Sequence, residues 1–160
     1  MGDTGKSCGM LGDQPAVVNV FMDHPNFSHF SEEEIKTFMA CCKEKKLNAG
    51  DLLFTEGECG NSMYIVKKGG IKILKMGFLG ETVIAQVNPG EFVGEMAVID
   101  SSPRSATVKA IANTELLELS KESYIVLKKE SPVIAIKIMD VLLRLLSLRL
   151  RSTTAKMLKK

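Results

Sequence analysis

The residues best suited to chemistry lie in one stretch, Gly90 to Ala110, which reads GEFVGEMAVIDSSPRSATVKA. Gly94 permits a sharp turn or a close backbone approach. Glu95-Met96-Ala97-Val98 has the length of one helical turn, whose exposed amides would face an anion. Pro103 ends this excursion and Arg104 opens the strand that follows. A guanidinium facing free amides suits a phosphate, because its planar fork makes paired, charge-assisted hydrogen bonds. A carboxylate is out of place beside a phosphate unless it accepts hydrogen bonds from sugar hydroxyls, which is the role open to Glu95. No nucleophile–base pair, pair of catalytic carboxylates or metal-ligand cluster stands out, so an enzyme is not expected. His24 and His29 lack metal-ligand spacing and read as turn residues. Cys8, Cys41, Cys42 and Cys59 show no C-x-x-C spacing, and read as reduced thiols of a cytoplasmic protein. Gly5-Lys6-Ser7 resembles the end of a phosphate-binding loop, but the glycine such a loop needs five residues earlier would precede the chain. Gly2 follows Met1 as in myristoylation, yet Lys6 occupies the place of the required Ser or Thr.

The elements that must position this stretch are legible from spacing. Residues 1–15 are Gly-rich and polar and are expected to be a flexible N-terminus, followed by one domain over 16–160. A short helix is expected over Ala16–Asp23. Ser31-Glu32-Glu33-Glu34 forms a capping box, with Phe30 and Ile35 placed as a hydrophobic staple. Ile35, Phe38, Met39 and Cys42 recur at helical spacing, which extends the predicted helix to about Lys45. From Leu47 to Ser120 short apolar runs alternate with glycine-bearing turns about every ten residues. Strands are predicted at 51–55, 62–67, 70–76, 81–87, 105–111 and 114–119, the pattern of a small antiparallel barrel or sandwich. Helix returns over Lys121–Lys129. Ser131-Pro132 then opens a long helix to at least Leu150. That helix carries two apolar sets, Met139, Leu143, Leu146 and Leu150, and Ile138, Leu142, Leu145 and Leu148, too broad a surface for one packing partner.

A length of 160 residues suits one domain, and 45% hydrophobic with 25% charged residues excludes general disorder. The net charge is +2 but uneven. Residues 137–160 hold seven basic side chains against Asp140, a net +6 that leaves −4 for the rest. The basic tail reads as a solvated helix end that complements the macrodipole, rather than a nucleic-acid or membrane surface. Pro132 to Leu150 is interrupted by Lys137, Asp140, Arg144 and Arg149, so it is not a membrane span. No signal peptide is evident at the N-terminus.

The run Phe92-Val93-Gly94-Glu95-Met96-Ala97, followed by Pro103-Arg104-Ser105-Ala106-Thr107, closely resembles the phosphate-binding cassette of cyclic-nucleotide-binding domains. That family includes the catabolite activator protein, the regulatory subunits of cyclic-AMP-dependent kinase and cyclic-nucleotide-gated channels. The resemblance extends to Ala49-Gly50-Asp51 with Phe54, Glu56-Gly57, Tyr64-Ile65-Val66 and Gly69, and covers roughly residues 26–150. It implies an α+β, mainly β fold: an antiparallel β-roll or jelly-roll barrel over about 47–120, with N-terminal helices and C-terminal helices over about 121–157. It implies that Arg104 pairs with the cyclic phosphate and that the amides of Ala97, Ser105 and Ala106 add hydrogen bonds. Glu95 and the Gly94 backbone would hold the ribose 2′-hydroxyl. Val83, Ile84, Val93 and Met96 would line the base pocket, with Arg144, Ser147, Arg149 and Arg151 available on the C-terminal helix as a lid. Related domains with alanine in place of Ser105 tend to favour cyclic AMP, so the hydroxyl leaves cyclic GMP open.

Only about ten residues follow Leu150, too few for the helix-turn-helix domain that catabolite-type activators place there. The expectation is therefore a stand-alone nucleotide sensor, or a fragment lacking its output domain. Its ligand would be cyclic AMP or cyclic GMP, with no other cofactor and no metal, and its signal would pass by movement of the C-terminal helix. The rival reading is a dimerisation module of the same fold that no longer uses nucleotide, and direct DNA binding is disfavoured. The seam Met139, Leu143, Leu146 and Leu150 predicts a two-fold homodimer. The downstream protein is unspecified.

Overall fold

The computed structural model describes residues 15–158. The expected flexible N-terminus, the two N-terminal look-alike motifs and Cys8 lie outside the described residues, apart from Pro15. Helix α1 (Pro15–Met22) buries Val18 and Phe21. A 3-10 turn at Pro25–Phe27 follows, its first free amide accepted by His24 Nδ1 at 3.1 Å. Helix α2 (Glu32–Ala40) opens with the capping box. The Glu34 amide donates to Ser31 Oγ at 3.1 Å, and the Ser31 amide donates to Glu34 Oε2 at 2.8 Å. Phe30 and Ile35 enter one buried cluster, as a staple requires.

The helix does not run on to Lys45. Cys41 caps it, and β1 (Lys43–Leu47) pairs antiparallel with β8 (Thr114–Ser120), Lys43 opposite Glu118 and Leu47 opposite Thr114. Lys-Glu-Lys-Lys favours helix by intrinsic propensity, but the free edge of β8 overrides so weak a preference. The other strands are β2 (Leu52–Phe54), β3 (Ser62–Lys68), β4 (Ile71–Gly77), β5 (Gly80–Val87), β6 (Phe92–Val93) and β7 (Thr107–Ala110). β6 has two residues, too few to show any periodicity in sequence.

The roll consists of two four-stranded antiparallel sheets, ordered β1-β8-β3-β6 and β2-β7-β4-β5, rather than one closed ladder. Residues from both sheets, among them Tyr64, Val66, Ile71, Val108 and Leu116, share one apolar cluster between them. The opposite face of the first sheet, with Met63, Ile65, Leu117 and Leu119, joins a second cluster with the helices. This explains why β3 reads as a continuous apolar run: alternate residues serve two different cores. Phe21, Phe27, Phe30 and Phe92 connect within that second core, with the Phe27 and Phe92 rings stacked at 5.9 Å. The start of the Gly94–Arg104 segment is thereby anchored to the N-terminal helices.

Ser120 caps α4 (Lys121–Glu130), its Oγ accepting from the Ser123 amide at 3.1 Å. Helix α5 (Pro132–Met157) has 26 residues, about 39 Å at 1.5 Å per residue. Its fully buried residues, Ile134, Ala135, Ile138, Val141 and Leu142, all precede Leu143. Lys137 fastens this half to α2, donating to both Glu34 oxygens at 2.6 and 2.8 Å and to His29 O at 2.7 Å. Of the predicted seam, Leu143 and Leu150 are exposed while Met139 and Leu146 are half-buried. Among the described residues no helix is long and apolar enough to cross a membrane.

Candidate functional site

The segment between β6 and β7 forms a short helix, α3 (Glu95–Asp100), preceded by Gly94 at φ 77°. Only glycine adopts that conformation readily, and a side chain there would also crowd the site, its Cβ falling 2.7 Å from Arg104 Nη1. Gly94 has no side chain to cap the helix, so the first amides of α3 lack a side-chain acceptor.

Around this turn lies a small, partly open cavity, lined on the segment by Gly94, Glu95, Met96, Ala97, Pro103, Arg104, Ser105 and Ala106. Phe54, Ile73, Val93 and Val108 complete its β-sheet wall, and Arg149 reaches it from α5.

Arg104 is 6% exposed. Its Nη1 donates to Gly94 O at 3.0 Å, and its guanidinium carbon lies 4.1 Å from the Phe54 ring centroid and 5.8 Å from that of Tyr64. Backbone bonds to the β2–β3 turn hold it in place: Arg104 N to Glu58 O and Gly57 N to Arg104 O, both at 2.8 Å. A Cβ at Gly60 would overlap the guanidinium, so this turn glycine is needed for space. None of the ion pairs among the described residues involves Arg104. Burial draws its pKa down from the usual arginine value, opposed by Tyr64, Glu58, Glu118 and Glu95, but an arginine keeps its charge in a protein. The Tyr64 hydroxyl donates to Glu118 Oε1 at 3.3 Å, and burial first, then the Glu118 charge, pushes its pKa up to about 12. Tyr64 is therefore a neutral wall beneath the cation.

Glu95 is 1% exposed. One of its oxygens, Oε1, pairs with Arg149 Nη1, while Arg149 Nη2 donates to Phe92 O at 3.0 Å. The other oxygen, Oε2, is buried with no hydrogen-bond partner. A buried, unpartnered carboxylate oxygen is costly, and Glu95 is among the residues that line the cavity.

Gly94, Glu95, Met96, Ala97, Arg104, Ser105, Ala106 and Val93 therefore lie together, with Arg149. Val83 does not join them. It stands opposite Leu74 on β5, 58% exposed, and neighbouring Ile84 is also exposed. Arg144 and Ser147 do not reach the cavity either. They are five and two residues before Arg149, which turns them about 140° and 160° away from it around the helix at 100° per residue. Arg144 instead bonds Asp140 O at 3.4 Å. The roles of Phe54, Ile73, Val108 and Gly60 had no local signal beyond β patterning and a turn glycine.

The Cyclic nucleotide-binding domain family model matches residues 44–130 of this chain. The chain belongs to that family. Its cyclic nucleotide-binding segment contains every element of the cavity except Arg149 and α5. Over 121 residues it is 31% identical to the cyclic AMP receptor protein of Thermus thermophilus, covering 75% of the chain and 56% of the receptor. The chain thus spans little more than half the length of that relative. A solved cyclic nucleotide-binding domain from Methylobacillus flagellatus superposes with a TM-score of 0.79 at 28% identity, covering 90% of this chain and 82% of that one. The regulatory domain of Toxoplasma gondii PKA, solved with cAMP, gives a TM-score of 0.62 at 28% identity, covering 74% and 45%. The ligand of such domains is a cyclic nucleotide and needs no cofactor. The described residues contain no group of His, Cys, Asp or Glu arranged to hold a metal ion.

Proposed function

We propose that this domain is a regulatory, non-catalytic sensor that binds cyclic AMP in the Gly94–Arg104 cavity, with cyclic GMP also admitted, and signals through α5. The carrying observation is a buried arginine on a cavity with no carboxylate partner among the described residues. Such a cation needs an anion, and a cyclic phosphate supplies one with a geometry the guanidinium fork can meet. Glu95 Oε2 is available to the ribose 2′-hydroxyl. Arg149 supports the output step, because it ties α5 to the same carboxylate. A nucleotide hydroxyl bound at Oε2 of that same carboxylate alters the setting of the tie and shifts the balance between two positions of the helix. Ser105 Oγ lies 3.7 Å from Met96 Sδ, a weak partner it can exchange for a phosphate oxygen or a purine amino group.

The exposed half of α5 supports a homodimer. Ile136, Leu143, Leu150 and Met157 are all exposed and spaced by seven residues, with Met139 and Leu146 between them, the repeat of a coiled-coil seam. Exposed Cys59, with no disulfide among the described residues, suits a reducing, cytoplasmic setting. Isothermal titration with each cyclic nucleotide, followed by amide hydrogen exchange over residues 140–157, tests both parts. Binding with altered exchange in α5 is expected. Absence of binding for both nucleotides at millimolar concentration refutes the sensor reading.

A further inference from the structure

We infer that Lys75 is a positioning residue of the phosphate site, holding the Ser105–Ala106 peptide so that the Ala106 N–H faces the ligand. The inference rests on the cyclic-nucleotide reading of the cavity.

Lys75 lies on β4 one residue beyond Leu74, whose partner Thr107 is the first residue of β7. Past that pair the chain leaves the ladder, and residues 103–106 run along the cavity rim without strand partners. Backbone bonds to the β2–β3 turn fix Arg104. At the next carbonyl, Lys75 Nζ donates to Ser105 O at 2.8 Å. The same ammonium forms an ion pair with Glu56 Oε1, and the Glu56 amide donates to Thr107 Oγ1 at 3.0 Å. A lysine clamped between a carboxylate and one main-chain oxygen is thus braced from the β2–β3 turn and from β4.

The consequence follows from peptide planarity. In a trans peptide the C=O and the next N–H point in opposite directions. Lys75 does not line the cavity, whereas Ser105 and Ala106 do, and Ala106 is buried. Drawing Ser105 O toward Lys75 therefore turns the Ala106 N–H toward the cavity. Donation from a cation also polarises that peptide and strengthens the N–H as a donor. Donors fixed before the ligand arrives cost little to organise on binding.

The test uses Lys75→Met and Lys75→Arg. Lys75 is about half exposed, so thermal melts of the free proteins check that folding is retained. Calorimetry should show cyclic AMP bound about three- to tenfold more weakly by Lys75→Met, with recovery in Lys75→Arg, which can still donate to both acceptors. The decisive readout is the Ala106 amide proton in nitrogen–proton correlation spectra. In the wild type it should move strongly downfield on nucleotide addition. In Lys75→Met that movement should shrink while the Ala97 amide responds as before. Unchanged affinity overturns the inference. So does weaker binding with the Ala106 shift intact, which would make Lys75 a distant charge only. If the wild type binds neither cyclic nucleotide, the reading of the cavity fails first and the positioning role falls with it.

Discussion

Replacing Arg104 by methionine separates ligand recognition from folding, because the structure predicts opposite signs for the two. The free protein would lose the bond to Gly94 O, about 1.5–3 kcal/mol for a charged donor. It would also lose the contact with the Phe54 ring, about 0.5–2 kcal/mol. Against this stands the desolvation of a guanidinium that is 6% exposed and lacks a carboxylate partner among the described residues, several kcal/mol for a buried ion. Methionine is long enough to fill the slot beside Phe54, and its sulfur packs well on an aromatic ring. The net change should lie between zero and about 2 kcal/mol of stabilisation. At about 2–4 °C per kcal/mol for a chain of this size, Tm should stay level or rise by up to about 8 °C. Nucleotide affinity should fall by about 2–5 kcal/mol, roughly 30-fold to several thousandfold, because the bound phosphate loses a buried cationic partner. Differential scanning calorimetry and titration calorimetry on the same preparations read both numbers. A variant that melts well below the wild type yet binds nucleotide normally would show that Arg104 is a structural brace, and the phosphate assignment would be wrong.

Glu95→Gln should weaken cyclic AMP binding by about 1–3 kcal/mol, and 2′-deoxy cyclic AMP should suffer little further loss in that variant; an equal penalty for the analogue in both proteins would show that Glu95 does not contact the ribose. Leu150→Glu should yield a folded monomer by sedimentation velocity, since Leu150 is 69% exposed and its replacement disturbs no core; a wild type that is already monomeric with and without nucleotide would refute the dimer. The bond from Lys137 holds the Glu34 carboxyl below its usual 4.5, helped by the Ser31 amide. A depressed carboxyl contributes stability that is fully present above 4.5 and lost as pH falls through the lowered folded value. Glu34→Gln should therefore flatten the acid limb of a denaturation profile below pH 4.5 while leaving the ligand site untouched; an unaltered acid limb would count against the Lys137 tie.

Features set by neighbours in the chain were readable in the sequence. The capping box needs only Ser31 and Glu34 in one turn, and the excursion needs only Gly94, Pro103 and Arg104, so the grouping of Gly94, Glu95, Ala97 and Arg104 around one turn could be read from their order. Tertiary structure decided what depends on partners distant in sequence. Lys43–Leu47 became a strand because β8 offered a free edge, which no local propensity encodes. Gly60 lies in a turn, and only the folded chain places the guanidinium of Arg104 in the space a side chain there would take. Four polar residues of α5, Arg144, Ser147, Arg149 and Arg151, had equal claim to the cavity, and periodicity cannot choose among them, because it gives the phase of a helix relative to itself and not to the surface it packs on. Burial of Ile134, Ile138, Val141 and Leu142 set that phase. It turned Arg149 onto Glu95 and left Arg144 and Ser147 pointing elsewhere, so the link between the cassette and the C-terminal helix exists only in the folded chain.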